Sequence, residues 1–381
     1  MQFFSSSAAR SALVCALLFL GCTNANSVGV TTAASALYSR TDSNRTTVWS
    51  PRMRVAGKVG ESLGVETAIA VDAWTGASVD VTTAATKAIH EVRKEVNAGG
   101  YYALPHVTVG GGYRYSTEND YWSNGGVGTL TFDMADKNTT LVLAGFGSHD
   151  IIGRSHDPGF KEPQTSAGGR VTLTQVVDAS TLAQLSWETT HVNGYQASPY
   201  RFVAVGGVGV CRGSPSSSTR AVDGCGPELV PNERYRNAAS ARGRRALGER
   251  VSVGVEYRFY FDNWGVRSHT ILPDFALLLS DRDTLAFDYR YYTQGAADFY
   301  KPRYLSPSDA LGYRTRDREL SALYSNRVGL RYQHGFEFAD GARVLTTALR
   351  WSATRYRYLA FVGLTSVDAL EATLLVSLDW R

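Results

Sequence analysis

A chain of 381 residues with 37 Gly, 21 Tyr and 7 Trp, 44% hydrophobic residues and a mean hydropathy of −0.18 is not the chain of a helical membrane protein. Beyond the N-terminus no apolar run approaches the roughly 18 residues that a membrane helix needs. A net charge of +4, with the basic residues dispersed rather than blocked, gives no footing for nucleic-acid binding.

Residues 1–25 read as a secretion signal. Arg10 precedes the apolar run Ser11–Cys22, which is too short to span as a helix, and Thr23-Asn24-Ala25 supplies small residues for cleavage. Phe19-Leu20-Gly21-Cys22 is an imperfect lipoprotein box that would lipidate Cys22; Phe and Leu fit that box poorly.

From residue 26 onward the pattern is one of strands. The first, near 30–41, is weakly patterned. In the next, Trp49, Pro51, Met53, Val55 and Gly57 share one face, and Ser50, Arg52, Arg54 and Lys58 share the other. After a turn at Gly60-Glu61, Leu63, Val65, Thr67, Ile69 and Val71 alternate with Gly64, Glu66, Ala68, Ala70 and Asp72. Further strands are expected near 93–102, 105–117, 121–133, 138–148, 169–178 and 181–193. Strong alternation returns at Val251–Asp262, Leu285–Tyr292 and Arg327–Tyr332. Side chains on a strand alternate between faces, so each segment has one apolar face and one polar face. That is what a wall between lipid and water requires, with aromatic residues at the two interfaces.

The connections differ in length. Short ones fall near 59–61, 103–105, 134–137, 178–180, 246–249, 281–283 and 338–341. Longer or more varied ones fall near 42–46, 75–92, 118–121, 149–168, 194–232, 263–265, 295–317 and 357–367. The two kinds alternate throughout if Arg201–Val210 belongs to a loop. Short turns on one side and long loops on the other describe an all-β, antiparallel transmembrane barrel. Seven short turns and eight long loops make about 16 strands, with 14 and 18 as the neighbouring even counts. The barrel is a single unit over 26–381, its long outer loops near 75–92, 149–168, 194–232 and 295–317.

With cleavage after Ala25 the remaining cysteines are Cys211 and Cys225, which flank a serine-rich polar loop. An even pair in an exported chain reads as a disulfide. It would close a loop of about 15 residues and constrain the unfolded chain by about 3 kcal/mol.

The last strand, Leu370–Trp380, carries Leu370, Ala372, Leu374, Val376, Leu378 and Trp380 on one face; only Leu375 breaks the alternation on the other. It resembles the terminal strand of bacterial outer-membrane barrels, whose last aromatic is part of the signal read by the barrel-assembly machinery.

Arg52, Arg54, Lys58, Glu66, Asp72, Arg114, Glu256, Arg258, Asp288, Arg290, Arg327, Arg331 and Arg350 fall opposite the apolar faces. Arg or Lys on the lipid side at mid-depth would cost about 2–4 kcal/mol each, so the lumen is their expected place. Two readings stay open: cross-strand pairing in a narrow or plugged interior, or a basic lumen tuned to anions.

Catalytic signals are weak. Ser148-His149-Asp150 and Ser155-His156-Asp157 lie in one expected outer loop, and a hydrolase needs such groups to converge. A solvated polar loop is the simpler reading, with a barrel enzyme kept as the least favoured alternative. Gly110-Gly111-Gly112 lies inside a strand with no helix after it, which suits close packing or a bend rather than a phosphate loop. No motif for a metal or other cofactor occurs.

Four longer strings carry a family resemblance. They are Glu118-Asn119-Asp120-Tyr121, Ser198-Pro199-Tyr200-Arg201, Asp262-Asn263-Trp264-Gly265-Val266-Arg267-Ser268-His269-Thr270, and Arg290-Tyr291-Tyr292-Thr293-Gln294-Gly295-Ala296-Ala297-Asp298-Phe299-Tyr300. Together they resemble a Gram-negative family of outer-membrane barrels of unassigned function, the domain of unknown function thirty-five seventy, over about residues 33–381. The resemblance implies an outer-membrane location, contact with outer-membrane lipid and no established activity. In physical terms Trp264 reads as an interfacial anchor at the outer rim. Arg290, Gln294 and Asp298 run up one face, to tie loop to wall or to bind a solute.

The functional expectation is a channel or binding barrel for a small polar solute. The alternative is a non-conducting barrel that anchors or docks an envelope partner, periplasmic or at the surface.

Overall fold

The computed structural model describes residues 29–76, 89–155, 157–206, 224–310, 312–338 and 341–380. The expected signal segment and Cys211 therefore lie outside the described residues. The strands are β1 (Gly29–Asp42), β2 (Thr46–Val59), β3 (Leu63–Gly76), β4 (Ile89–Ala103), β5 (Val107–Thr117), β6 (Tyr121–Met134), β7 (Thr139–Arg154), β8 (Asp157–Asp178), β9 (Thr181–Gly194), β10 (Phe202–Ala204), β11 (Cys225–Pro227), β12 (Glu233–Leu247), β13 (Val251–Asp262), β14 (Arg267–Leu278), β15 (Asp283–Gln294), β16 (Leu323–Phe338), β17 (Arg343–Tyr358) and β18 (Ser366–Trp380).

Sixteen of these close into one antiparallel barrel. Each pairs with its sequence neighbour, β9 pairs with β12, and β1 closes the ring against β18 over Thr32–Asp42. The expected count of sixteen holds, and the weakly patterned first strand is the closing one. β10 and β11 pair only with each other and lie in the connection between β9 and β12, so Phe202–Ala204 is not part of the wall. Closure removes every sheet edge, which a bilayer demands because unpaired backbone groups find no partner in hydrocarbon.

The alternation decides which face meets lipid. Leu37, Trp49, Ile69, Val96, Val255, Phe287, Val328, Trp351 and Leu374 are all exposed large apolar residues on the outer face. In β18 the odd residue Leu375 points inward, opposite Ala36 and Ala348, where small neighbours leave room for it.

The connections depart from expectation in one place above all. The stretch 149–168 is not a long loop. β7 runs to Arg154 and β8 begins at Asp157, with Ser148 opposite Ser166 and Ile151 opposite Pro163. The hairpin projects as paired strands. Its polar residues are satisfied across the hairpin and by the neighbouring connection, where Gln164 donates to the Tyr195 carbonyl and the Ser155 amide to the Tyr200 hydroxyl, so they do not report a loop. Connections 43–45 and 118–120 are likewise tight. The loop expected at 295–317 continues to 322, since β16 starts only at Leu323. Within the expected loop 75–92, β3 reaches Gly76 and β4 starts at Ile89; 77–88 lies outside the described residues.

Candidate functional site: a capped outer chamber

The described parts of the two long connections, 195–206 with 224–232 and 295–322 apart from residue 311, pack together over the mouth of the barrel. Val230, Trp264, Val266, Ala297 and Leu320 form one buried cluster, and Val203, Val205, Tyr304 and Ala310 form a second. Such apolar clusters outside the membrane wall make these loops a folded cap. Trp264 is thus not an interfacial anchor. It is 4% exposed, its indole N–H donates to the Glu233 carbonyl at 3.0 Å, and the Arg234 guanidinium lies 4.2 Å from its ring centre. The apolar ring is worth more under the cap than at the rim, because the cap loops fold back over it.

The polar centre of the cap is Glu228, 6% exposed. It accepts from Arg201 Nη1 at 3.0 Å, from the Ser198 amide at 2.7 Å and from Thr315 Oγ1 at 2.5 Å. Arg201 also reaches Asp317 at 3.1 Å. Burial pushes the Glu228 carboxyl above its usual range, and the Arg201 charge opposes that shift.

The family strings map onto this cap and its ties to the wall. Tyr200 donates its hydroxyl to Asp120 in the β5–β6 turn, and the Ser155 amide donates to the Tyr200 hydroxyl at 2.6 Å. Burial raises the Asp120 carboxyl. Tyr121 begins β6, directly after that turn. Asp262 accepts from Arg234 at 2.5 Å and from the amides of Trp264 and Val266 at 3.0 Å, which shapes the β13–β14 turn. Gln294 donates to the carbonyls of Glu319 and Ser321 at 2.7 and 2.8 Å, and Tyr300 donates to the Ala360 carbonyl at 2.9 Å. The Asp298 amide donates to the Trp264 carbonyl at 2.8 Å. Gln294 therefore ties loop to wall, whereas the Asp298 amide joins its loop to the β13–β14 turn. Arg290 does not join them; its guanidinium lies 6.0 Å from the Tyr292 ring centre and its Nε is buried without a hydrogen-bond partner. His269 stands apart on the outer face, 2.7 Å from the Tyr257 hydroxyl.

Beneath the cap lies a chamber of about 700 Å³. Its walls carry Arg40, Arg234, Arg236, Arg258 and Arg318, the carboxylates Asp42, Asp317 and Glu319, and the phenols Tyr260, Tyr292, Tyr356 and Tyr358. Arg40 pairs with Asp42 at 3.5 Å, and Arg234 is held by Asp262. Among the described residues Arg236 and Arg258 have no carboxylate within ion-pair reach, and the Arg236 Nε is buried without a hydrogen-bond partner. Arg236 was not among the sequence candidates. Its signal is the period-two run Arg234, Arg236, Arg242, Arg244 in β12.

Below the chamber most of the expected inward charges pair. Arg54 meets Glu66 at 2.5 Å, Arg52 meets Asp72 at 3.6 Å, and Arg114 meets Glu95 at 3.7 Å. Asp288 holds both Arg327 at 2.7 Å and Arg350 at 2.6 Å. Glu256 faces Arg242 across the β12–β13 ladder. Arg331 stands between Arg350 and Ala286 with no carboxylate partner among the described residues. His149 and Asp150 are neighbours on one strand, so they face opposite sides of the wall, and His156 lies outside the described residues. Glu91, Glu118 and Asp120 bring carboxylate oxygens within 4.8 Å of one another at the outer rim.

A closed sixteen-stranded antiparallel barrel with an apolar outer face defines an integral outer-membrane β-barrel protein and points to the bacterial outer membrane. The chain belongs to the family described as protein of unknown function (DUF3570), whose model matches residues 85–157 and 150–349. No curated protein matches it. Among solved structures it is similar to a bacterial polysaccharide outer membrane secretin at 10% identity, with a TM-score of 0.49, covering 92% of this chain and 98% of that one. It is also similar to OccD3 (OpdP) of Pseudomonas aeruginosa at 9% identity and a TM-score of 0.45, covering 93% of each chain. The siderophore receptor PirA of Pseudomonas aeruginosa matches at 9% identity and a TM-score of 0.45, over 92% of this chain and 62% of that one.

Proposed function

We propose that this barrel binds and admits a small anionic solute, with the capped chamber as its selective site. The observation that carries the reading is the pair Arg236 and Arg258, which among the described residues have no carboxylate within 4 Å, Asp262 opposite Arg236 being taken by Arg234. The Nε of Arg236 is buried without a hydrogen-bond partner, and a guanidinium drawn partly out of water is costly unless an anion compensates it. A solute carboxylate or phosphate suits two such forks. The phenols around them offer hydroxyl donors and apolar faces for the rest of the solute.

The test is conductance and ion selectivity of the refolded chain in a planar bilayer. Anion preference that falls on Arg236→Ala and Arg258→Ala supports the reading. A folded barrel with no conductance and no anion binding favours the second reading, a barrel that anchors a partner through its cap. That reading draws on the cap itself, whose two apolar clusters can close the mouth.

Three further steps complete the proposal. The signal at 1–25 directs export and is cleaved. Trp380, at the end of β18, is read by the assembly machinery. Cys211 and Cys225 close the loop leading into β11 as a disulfide, checked by thiol labelling with and without reductant.

A further inference from the structure

A second cavity, of about 710 Å³, opens off the lumen against β4–β7. Two aromatic rings line it. Tyr101 lies over Gly64 on the neighbouring strand, and Phe146 lies over Gly168; a Cβ on either glycine would collide with the ring. Glycine thus leaves room for each ring against the wall, and Tyr101 remains 42% exposed. Between the rings the inward positions of β4 and β5 include Gly99, Gly110 and Gly112, while Thr129 and Val127 of β6 add one hydroxyl and one small apolar side chain to an otherwise open floor. Polar groups surround it: Asn97 donates to Glu95, Arg54 pairs with Glu66, and the Ser148 and Ser166 hydroxyls meet at 2.8 Å.

We infer that this shelf binds an oligosaccharide. An aromatic face carries negative charge and attracts the polarised C–H face of a sugar ring. A planar base would want a ring on both sides, whereas here a single ring stands at each end of the shelf. The surrounding amide, hydroxyl, guanidinium and carboxylate groups supply donors and acceptors of both kinds, which a polyol needs and a simple anion does not. Tyr101 and Phe146 are three strands apart and offset by two residues along the strands, so they lie about 16 Å from each other along the wall. A ligand that touches both is a chain of sugars rather than a single one. This site does not depend on the arginine chamber.

The experiment is saturation-transfer NMR and calorimetry on the purified, refolded full-length mature chain in detergent. The probes are maltohexaose (neutral), chitohexaose (amino sugar) and an oligogalacturonate (acidic). Transfer to the C–H protons of at least one of them is expected. Tyr101→Ala and Phe146→Ala should each weaken that binding about tenfold, the scale of one stacking contact. Gly64→Ala, which keeps the aromatic but displaces Tyr101 from its seat against the wall, should weaken it as well. Arg236→Ala should leave maltohexaose and chitohexaose binding unchanged, which separates this site from the chamber. Heat-modifiable gel migration confirms that each variant is folded. Absence of binding to all three probes, or full affinity in folded Tyr101→Ala and Phe146→Ala, overturns the inference.

Discussion

Arg201 and Glu228 meet at 3.0 Å in the cap, each drawn from the same long connection but on opposite sides of the β10–β11 hairpin. The pair staples that hairpin shut and, through Asp317, joins it to the second long loop. Glu228 is the less tolerant partner, because its side chain is 1% exposed and Arg201's is 24% exposed.

Breaking this pair should therefore open the cap without unfolding the barrel. Arg201→Ala leaves a buried carboxylate uncompensated, a defect of roughly 3–5 kcal/mol. Limited trypsinolysis should cut the 195–232 connection much faster in Arg201→Ala, while heat-modifiable migration of the barrel persists. Glu228→Gln should be milder, since it keeps the shape and most hydrogen bonds.

Acidity should act on the same contact with a defined sign. Burial holds the Glu228 carboxyl above its usual range. In the window between the ordinary glutamate value and this raised one, the folded cap binds more protons than the unfolded one. The contribution of this group to stability is present below that window and lost as pH rises through it. Cap proteolysis, corrected for protease activity, should quicken from pH 5 to pH 8. Glu228→Gln should flatten that profile; an unchanged profile assigns the dependence elsewhere.

Asp288 neutralises two lumen arginines, Arg327 and Arg350. Asp288→Asn should free both and shift the bilayer selectivity toward anions. A shift toward cations, or none in a conducting barrel, would show that these arginines do not face the conduction path.

Orientation of the wall can be tested on one strand. Leu374 faces lipid and is 47% exposed, whereas its neighbour Thr373 faces the lumen beside Tyr38 and Arg350. Leu374→Arg should destabilise the barrel by about 2–4 kcal/mol, and Thr373→Gln by much less. Urea unfolding in lipid vesicles, followed by tryptophan fluorescence, measures both. Equal losses would contradict the assigned faces.

Much of the wall was legible in the residues themselves, because a strand's inside and outside are written with a period of two and need no knowledge of distant contacts. Leu370–Trp380 and Val251–Asp262 announce their lipid faces, and the alternation of short and long connections leads to sixteen strands. The same locality misled at 149–168, where a hairpin whose polar residues are satisfied by a distant connection carries a loop's composition. Trp264 was misplaced for a related reason: a lone tryptophan beside a turn looks the same whether it meets lipid or another loop. Which loops fold into the cap and which arginines stand open in the chamber beneath it depend on partners several strands or about a hundred residues away. Arg201 with Asp317 and Asp120 with Tyr200 are pairings of this kind. The closed barrel brings them together, and no periodicity in the chain encodes them.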